Sequence, residues 1–117
     1  MFQLTFSDQS MGALNELDQR EQLGLVDKLS SLTDDILSAE DDAVGRFQRS
    51  GQIFYRLRVK GFRIYFTRDG DSLACHCILH KNTLGDFLFR CKLPIQDEQL
   101  IEQNQSFWKY LEGLAKK

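Results

Sequence analysis

Over residues 53–81, IFYRLRVKGFRIYFTRDGDSLACHCILHK, hydrophobic and polar positions alternate with a period of two. Tyr55, Leu57 and Val59 fall on one side, and Arg56, Arg58 and Lys60 on the other. After Lys60-Gly61 the alternation resumes, with Phe62, Ile64 and Phe66 opposed to Arg63, Tyr65 and Thr67. Successive side chains of a strand leave opposite faces, so this pattern predicts half-buried strands. A further run, residues 73–80, follows Asp69-Gly70-Asp71, and Asp-Gly between strands signals a hairpin. The segment reads as an antiparallel meander with one apolar face and one face crowded with arginine.

The flanking chain supplies helices to cover that sheet. Phe2, Leu4 and Phe6 alternate, which predicts a first strand over residues 1–6. Ser7 is placed to cap a helix carrying Met11, Leu14 and Leu17 on one face. Asp18, with Glu21 three residues on, predicts the start of a second helix with Leu25, Leu29, Leu32 and Ile36 at helical spacing. The acidic run Glu40-Asp41-Asp42 reads as a solvated connection, and Val44–Arg49 as a weak strand that turns at Ser50-Gly51. Beyond His80, residues 81–85 read as a loop and Phe87, Leu88 and Phe89 as packing residues. Past Pro94 a last helix is expected over residues 97–115, its stripe carrying Leu100, Phe107, Trp108, Leu111 and Ala115, broken by Asn104. The order β-α-α-β-β-β-β-α predicts a single α+β domain over residues 1–117. In it an N-terminal strand and helical hairpin pack on an antiparallel β-meander, with a C-terminal helix.

Charge adds a polarity that the pattern alone does not show. The net charge of −2 conceals residues 1–43 at −8, with ten acids against Arg20 and Lys28. Residues 44–92 carry ten Lys or Arg against three acids, a balance of +7. That segregation points to an anionic partner for the sheet, or to acids of the same chain folded over it. No apolar run approaches the ~18 residues needed to span a bilayer, and residues 1–10 lack the form of a secretory signal. Cys75 and Cys77 are expected on one face of a strand, a poor geometry for a disulfide, and CHC there lacks zinc-ligand spacing. Buried thiols in a reducing cytoplasm, with no metal, no cofactor and no membrane, are the expectation.

The candidate chemistry lies on the basic face. Arg56, Arg58 and Arg63 can share that face, since i and i+2 side chains align and neighbouring strands lie about 4.8 Å apart. Guanidinium forks suit phosphate oxygens and keep their charge. His80, with an unperturbed pKa near 6.5, suits proton transfer, and by parity it is expected beside His76. Tyr65 is placed to stack a base or donate its hydroxyl, and Lys81 to touch a phosphate. Cutting RNA by internal transesterification needs such a set: a base for the 2′-hydroxyl, a cation for the phosphorane, and an acid for the leaving oxygen. A solvated or internally neutralised strand face is the alternative.

The stretch Tyr55-Arg56-Leu57-Arg58-Val59-Lys60-Gly61-Phe62-Arg63-Ile64-Tyr65, within this order of elements, resembles the RelE/ParE toxin superfamily. The resemblance implies a RelE-like toxin of a type II toxin–antitoxin pair: a metal-independent endoribonuclease, cutting mRNA at the ribosome and held by a cognate antitoxin. By position, Arg56 and Arg58 match the paired basic residues of the family's central strand, and Arg63 its phosphate-stabilising arginine. His80 and Lys81 fall where RelE-like toxins carry fourth-strand His or Arg. The resemblance thus puts Arg63, His80 and Arg58 in catalysis and Arg56, Arg58, Lys60, Tyr65 and Lys81 on RNA. Asn82 stands where the family has a further arginine, and its C-terminal tyrosine has no match here. A ParE-like gyrase-inhibiting toxin, or a relative binding RNA or protein without catalysis, remains the alternative.

Overall fold

The computed structural model describes residues 2–38, 44–49, 51–80, 102 and 105–115. Along the chain run β1 (Gln3–Phe6), α1 (Asp8–Asn15), α2 (Gln19–Ser30), α3 (Asp34–Ser38), β2 (Val44–Arg49), β3 (Gln52–Val59), β4 (Phe62–Asp69), β5 (Ser72–His80) and α4 (Gln105–Ala115). The strands form one sheet in the order β1-β5-β4-β3-β2. β2 to β5 pair antiparallel as the expected meander, while β1 adds to β5 in parallel. The hairpin turns carry the residues their geometry demands. Lys60 (φ 48°) and Gly61 (φ 86°) both adopt the left-handed conformation of a type I′ turn, whose twist matches that of the flanking strands.

Capping residues set the helix starts. The Ser7 hydroxyl accepts from Ser10 N–H at 3.1 Å, and Asp18 Oδ1 accepts from Glu21 N–H at 2.8 Å, each satisfying an orphan donor of a first turn. The second helix is shorter than its stripe suggested: α2 ends at Ser30, and α3 restarts where Thr33 Oγ1 accepts from Ile36 N–H. The break re-aims the last turn, so Leu37 is buried and Ile36 is 37% exposed. Met11 is likewise outside the core, at 44% exposed. In its place α1 turns Ser10 and Leu14 inward, because the Ser10 hydroxyl donates to Cys75 O at 3.1 Å.

Two cores lie on opposite faces of the sheet. The larger joins Tyr55, Leu57, Val59, Phe62, Ile64 and Phe66 to Leu14, Leu25, Leu29, Leu32 and Leu37 from the helices. The smaller joins Phe54, Tyr65, Cys77 and Leu79 to Phe107, Trp108 and Leu111 of α4. Meander and C-terminal helix thus match the expected α+β arrangement, but the arginine-bearing face is itself half apolar and covered by α4.

β5 changes phase midway. Phe66 pairs with Cys75 and Tyr65 with Cys77, so one strand residue is extra and the register slips there. A bulge of this kind shifts every later side chain to the other face. Cys75 therefore lies in the larger core and Cys77 in the smaller, not on one face as strand parity suggested. The extra residue is accommodated by α1: Ser7 Oγ donates to His76 O at 2.7 Å, and the Gln9 amide exchanges two bonds with Ile78 at 2.9 and 3.0 Å.

Candidate nucleic-acid interface

The β3–β4 hairpin brings the predicted basic residues together. Arg58 stands directly opposite Arg63, and Arg56 opposite Tyr65, so all four share the face that α4 partly covers. Directly opposed positions lie about 4.5–5.5 Å apart at Cα, and like charges there repel. Arg58 is exposed and Arg63 half-buried, at the end of the hairpin next to the Lys60-Gly61 turn. Of the two, Arg58 is the more accessible cation.

Arg56 is buried, at 8% exposed, and is held from two sides. Its neighbour on β2 is Gly45, and a Cβ there would lie 2.8 Å from Arg56 Nη2 and 2.9 Å from Cζ. Glycine in this strand serves close approach: it leaves room for the guanidinium to lie across β2, over the Phe47 ring at 5.7 Å. From the other side comes Glu102, whose Oε1 accepts from Arg56 Nη1 at 2.6 Å. Its Oε2 accepts from the Tyr65 hydroxyl at 2.8 Å, and its backbone oxygen from Trp108 Nε1 at 2.7 Å. One residue thus joins β3, β4 and α4, while Arg49 stacks over the Trp108 ring at 5.1 Å.

These bonds change the standing of Tyr65. It is fully buried, edge-on to Phe107 at 5.0 Å and to Trp108 at 6.2 Å, so with α4 seated no base can stack on it. Burial, then the Glu102 carboxylate, push its hydroxyl well above the ordinary phenol range, while Arg63, through its charge and a hydrogen bond, acts the other way. Tyr65 remains a donor at every physiological pH.

The remaining predicted residues lie elsewhere. His80 pairs in register with Phe62, their rings 4.3 Å apart, and it borders a cleft with Glu16, Leu17 and Ile78. That is the helical-hairpin face, opposite the arginines, and the bulge is the reason: without it His80 would share the face of His76. The catalytic trio read from the sequence is therefore split, with Arg58 and Arg63 together and His80 across the sheet. His76 stays on the arginine side, but its Nε2 bonds Thr67 Oγ1 at 2.8 Å and burial lowers its pKa, keeping the ring neutral. Lys60 is exposed in its turn and lines a groove of about 510 Å³ against α2. Lys81, Asn82, the packing run at 87–89 and the start of the last helix lie outside the described residues.

Part of the charge segregation is neutralised internally. Arg56 meets Glu102, and Arg68, which stacks over Phe2 at 4.8 Å, meets Asp34 of α3. The sequence reading missed Glu102 and Gly45. Only the glycine left a trace, as a small residue inside a strand pattern. Among the described residues no three of His, Cys, Asp and Glu are grouped to hold a metal. None of their helices is long and apolar enough to cross a membrane.

No protein-family model and no curated protein sequence matches this chain. Among solved structures, it is similar to a chain in the crystal structure of the toxin–antitoxin complex RelBE2 from Mycobacterium tuberculosis. The TM-score is 0.50 and the identity 14%, over 68% of this chain and 96% of that chain. At that identity the likeness is one of fold: the sheet and its helices have a RelE-like arrangement.

Proposed function

We propose that this chain is the toxin of a toxin–antitoxin pair, a RelE-like protein that engages mRNA at the ribosome and cleaves it without a metal. One observation carries the reading: on a RelE-like fold, Arg58 and Arg63 stand opposed across a hairpin end, Arg58 exposed and Arg63 half-buried. A phosphate between two guanidinium groups takes charge-assisted, bidentate hydrogen bonds. In the reaction the ribose 2′-oxygen attacks the adjacent phosphorus and the 5′-oxygen leaves, giving a cyclic phosphate. Arg58 and Arg63 would stabilise the charge gathering on the phosphorane oxygens. His80, on the other face, has no part in this reading. The antitoxin is the partner that covers the same cationic end.

Induced expression in a bacterial host tests it. Growth arrest is expected, with mRNA cuts mapping inside translated codons. Arg63→Ala and Arg58→Ala should each lower cleavage by ~10²–10³-fold, the cost of removing one oxyanion-stabilising group. Intact translation without cuts at full expression overturns the proposal. A second reading, a relative that binds RNA or protein without cutting, is favoured by Glu102 filling the Arg56–Tyr65 position. RNA binding without cleavage would indicate it, whereas gyrase-linked DNA breaks without RNA cleavage would indicate the gyrase-inhibiting branch.

A further inference from the structure

The Arg56–Tyr65–Glu102 cluster has the form of an occupied ligand site. A buried ion pair contributes little net stability, because removing both charges from water costs about what their attraction returns. The fold has nonetheless built a socket for it. Gly45 clears space for the guanidinium, Phe47 lies beneath it, and Tyr65 presents its hydroxyl from the neighbouring strand. The socket is also incompletely filled: Arg56 Nε is buried and has no hydrogen-bond partner among the described residues. What sits in it is a carboxylate, a two-oxygen fork with one negative charge. The non-bridging pair of an RNA phosphodiester has the same fork and the same charge, and Arg58 and Arg63 continue the cationic surface from this point.

We infer that Arg56 and Tyr65 form a second phosphodiester site, which the chain's own Glu102 fills until RNA displaces it. This rests on the RNA-directed reading above and adds to it a competitor from the same chain. Displacement is coupled to α4, because the residue whose carboxylate leaves the socket also accepts from Trp108 Nε1 through its backbone oxygen. Trp108 is the single tryptophan of the chain. Its emission therefore reports the exchange.

The test uses the full chain, made by cell-free synthesis, and a fluorescein-labelled single-stranded 12-nucleotide RNA, 2′-O-methylated to block cleavage. Anisotropy gives affinity at fixed ionic strength, and Trp108 emission is followed in the same titration. Glu102→Gln keeps the side chain's shape but removes the competing charge. It should bind this RNA about 10-fold tighter than the native chain, the order expected when a charge-assisted bond is exchanged for a neutral one. RNA should shift Trp108 emission to the red in both proteins. Trp108→Phe keeps an aromatic ring in the smaller core but loses the N–H that holds Glu102. It is the second variant, should Glu102→Gln unfold by circular dichroism, and it too should bind more tightly. RNA binding that Arg58→Glu/Arg63→Glu abolishes, but that neither latch variant strengthens, overturns this inference and leaves the functional reading standing. No RNA binding by the native chain or any variant overturns both.

Discussion

Gln9 does the work of a missing strand, and its removal has a calculable cost. β1 pairs with β5 only as far as Cys75, and past that point Ser7, Gln9 and Ser10 serve the edge of β5. The Gln9 amide gives Ile78 both bonds that a strand neighbour would give, at 2.9 and 3.0 Å, and Ile78 is buried. Gln9→Ala leaves that N–H and that C=O without partners. At a net ~1–1.5 kcal/mol per bond the loss is about 2–3 kcal/mol, against the ~5–15 kcal/mol typical of a whole domain. Urea unfolding followed by circular dichroism should show a lower midpoint with an unchanged slope. Exchange of the Ile78 amide proton should accelerate in the native state. Gln9→Glu separates the two bonds. It keeps an acceptor for Ile78 N–H but sets a second oxygen against the carbonyl, so it should destabilise at pH 7 and recover as pH falls through its raised folded pKa, in full below the unfolded value of about 4.3. A Gln9→Ala protein within ~0.5 kcal/mol of the native chain would refute the reasoning and place the origin of the bulge in β5 itself.

Three further outcomes are expected. His76 is held neutral by burial, so its folded pKa lies below the unfolded value near 6.5. Stability should be level above pH 6.5 and fall as pH drops through it, because the unfolded chain takes up the proton first. His76→Gln should remove that part of the slope, and parallel slopes for the two proteins would contradict it. Gly45→Ala should cost about 1–3 kcal/mol by crowding Arg56 and Phe47, where a β-strand glycine otherwise gains slightly from alanine; a stabilised variant in a thermal melt would argue against the packed guanidinium. The Cys75 thiol is buried and pushed up to about 12 by desolvation. Iodoacetamide at pH 8 should modify it, by peptide mapping, only after unfolding, and labelling at the rate of a small free thiol would show the site to be open.

Most local signals in the chain were read correctly, Met11 and the unbroken second helix apart, and the long-range ones were not, for a reason visible in particular residues. Period-two alternation with Lys60-Gly61 and Asp69-Gly70 placed β3, β4 and β5, since a turn's backbone needs are met by its own residues. The caps at Ser7 and Asp18 and the Phe107-Trp108-Leu111 stripe belong to the same class. Parity failed past His76 because the bulge there is bound by Ser7 and Gln9, 69 residues away in sequence. Up to that point β5 was readable; beyond it every face assignment, His80 included, came out inverted. The arginine face failed differently. Arg56 gave the signature of a solvated strand position, and its burial depends on Glu102, 46 residues later and off the apolar stripe expected for the last helix.

The parallel pairing of β1 with β5 gives the molecule a timetable. Phe6 finds Cys75 only after the intervening chain has been made, which takes roughly 3–14 s at ~5–20 residues per second. Until then α1 and α2 have only an incomplete sheet to cover, and an unfinished chain presents its leucines to whatever is nearby. The order of synthesis also separates the two faces, because β5 is made before Glu102 and α4. In a newly made chain Arg56 and Tyr65 therefore precede the residue and the helix that cover them.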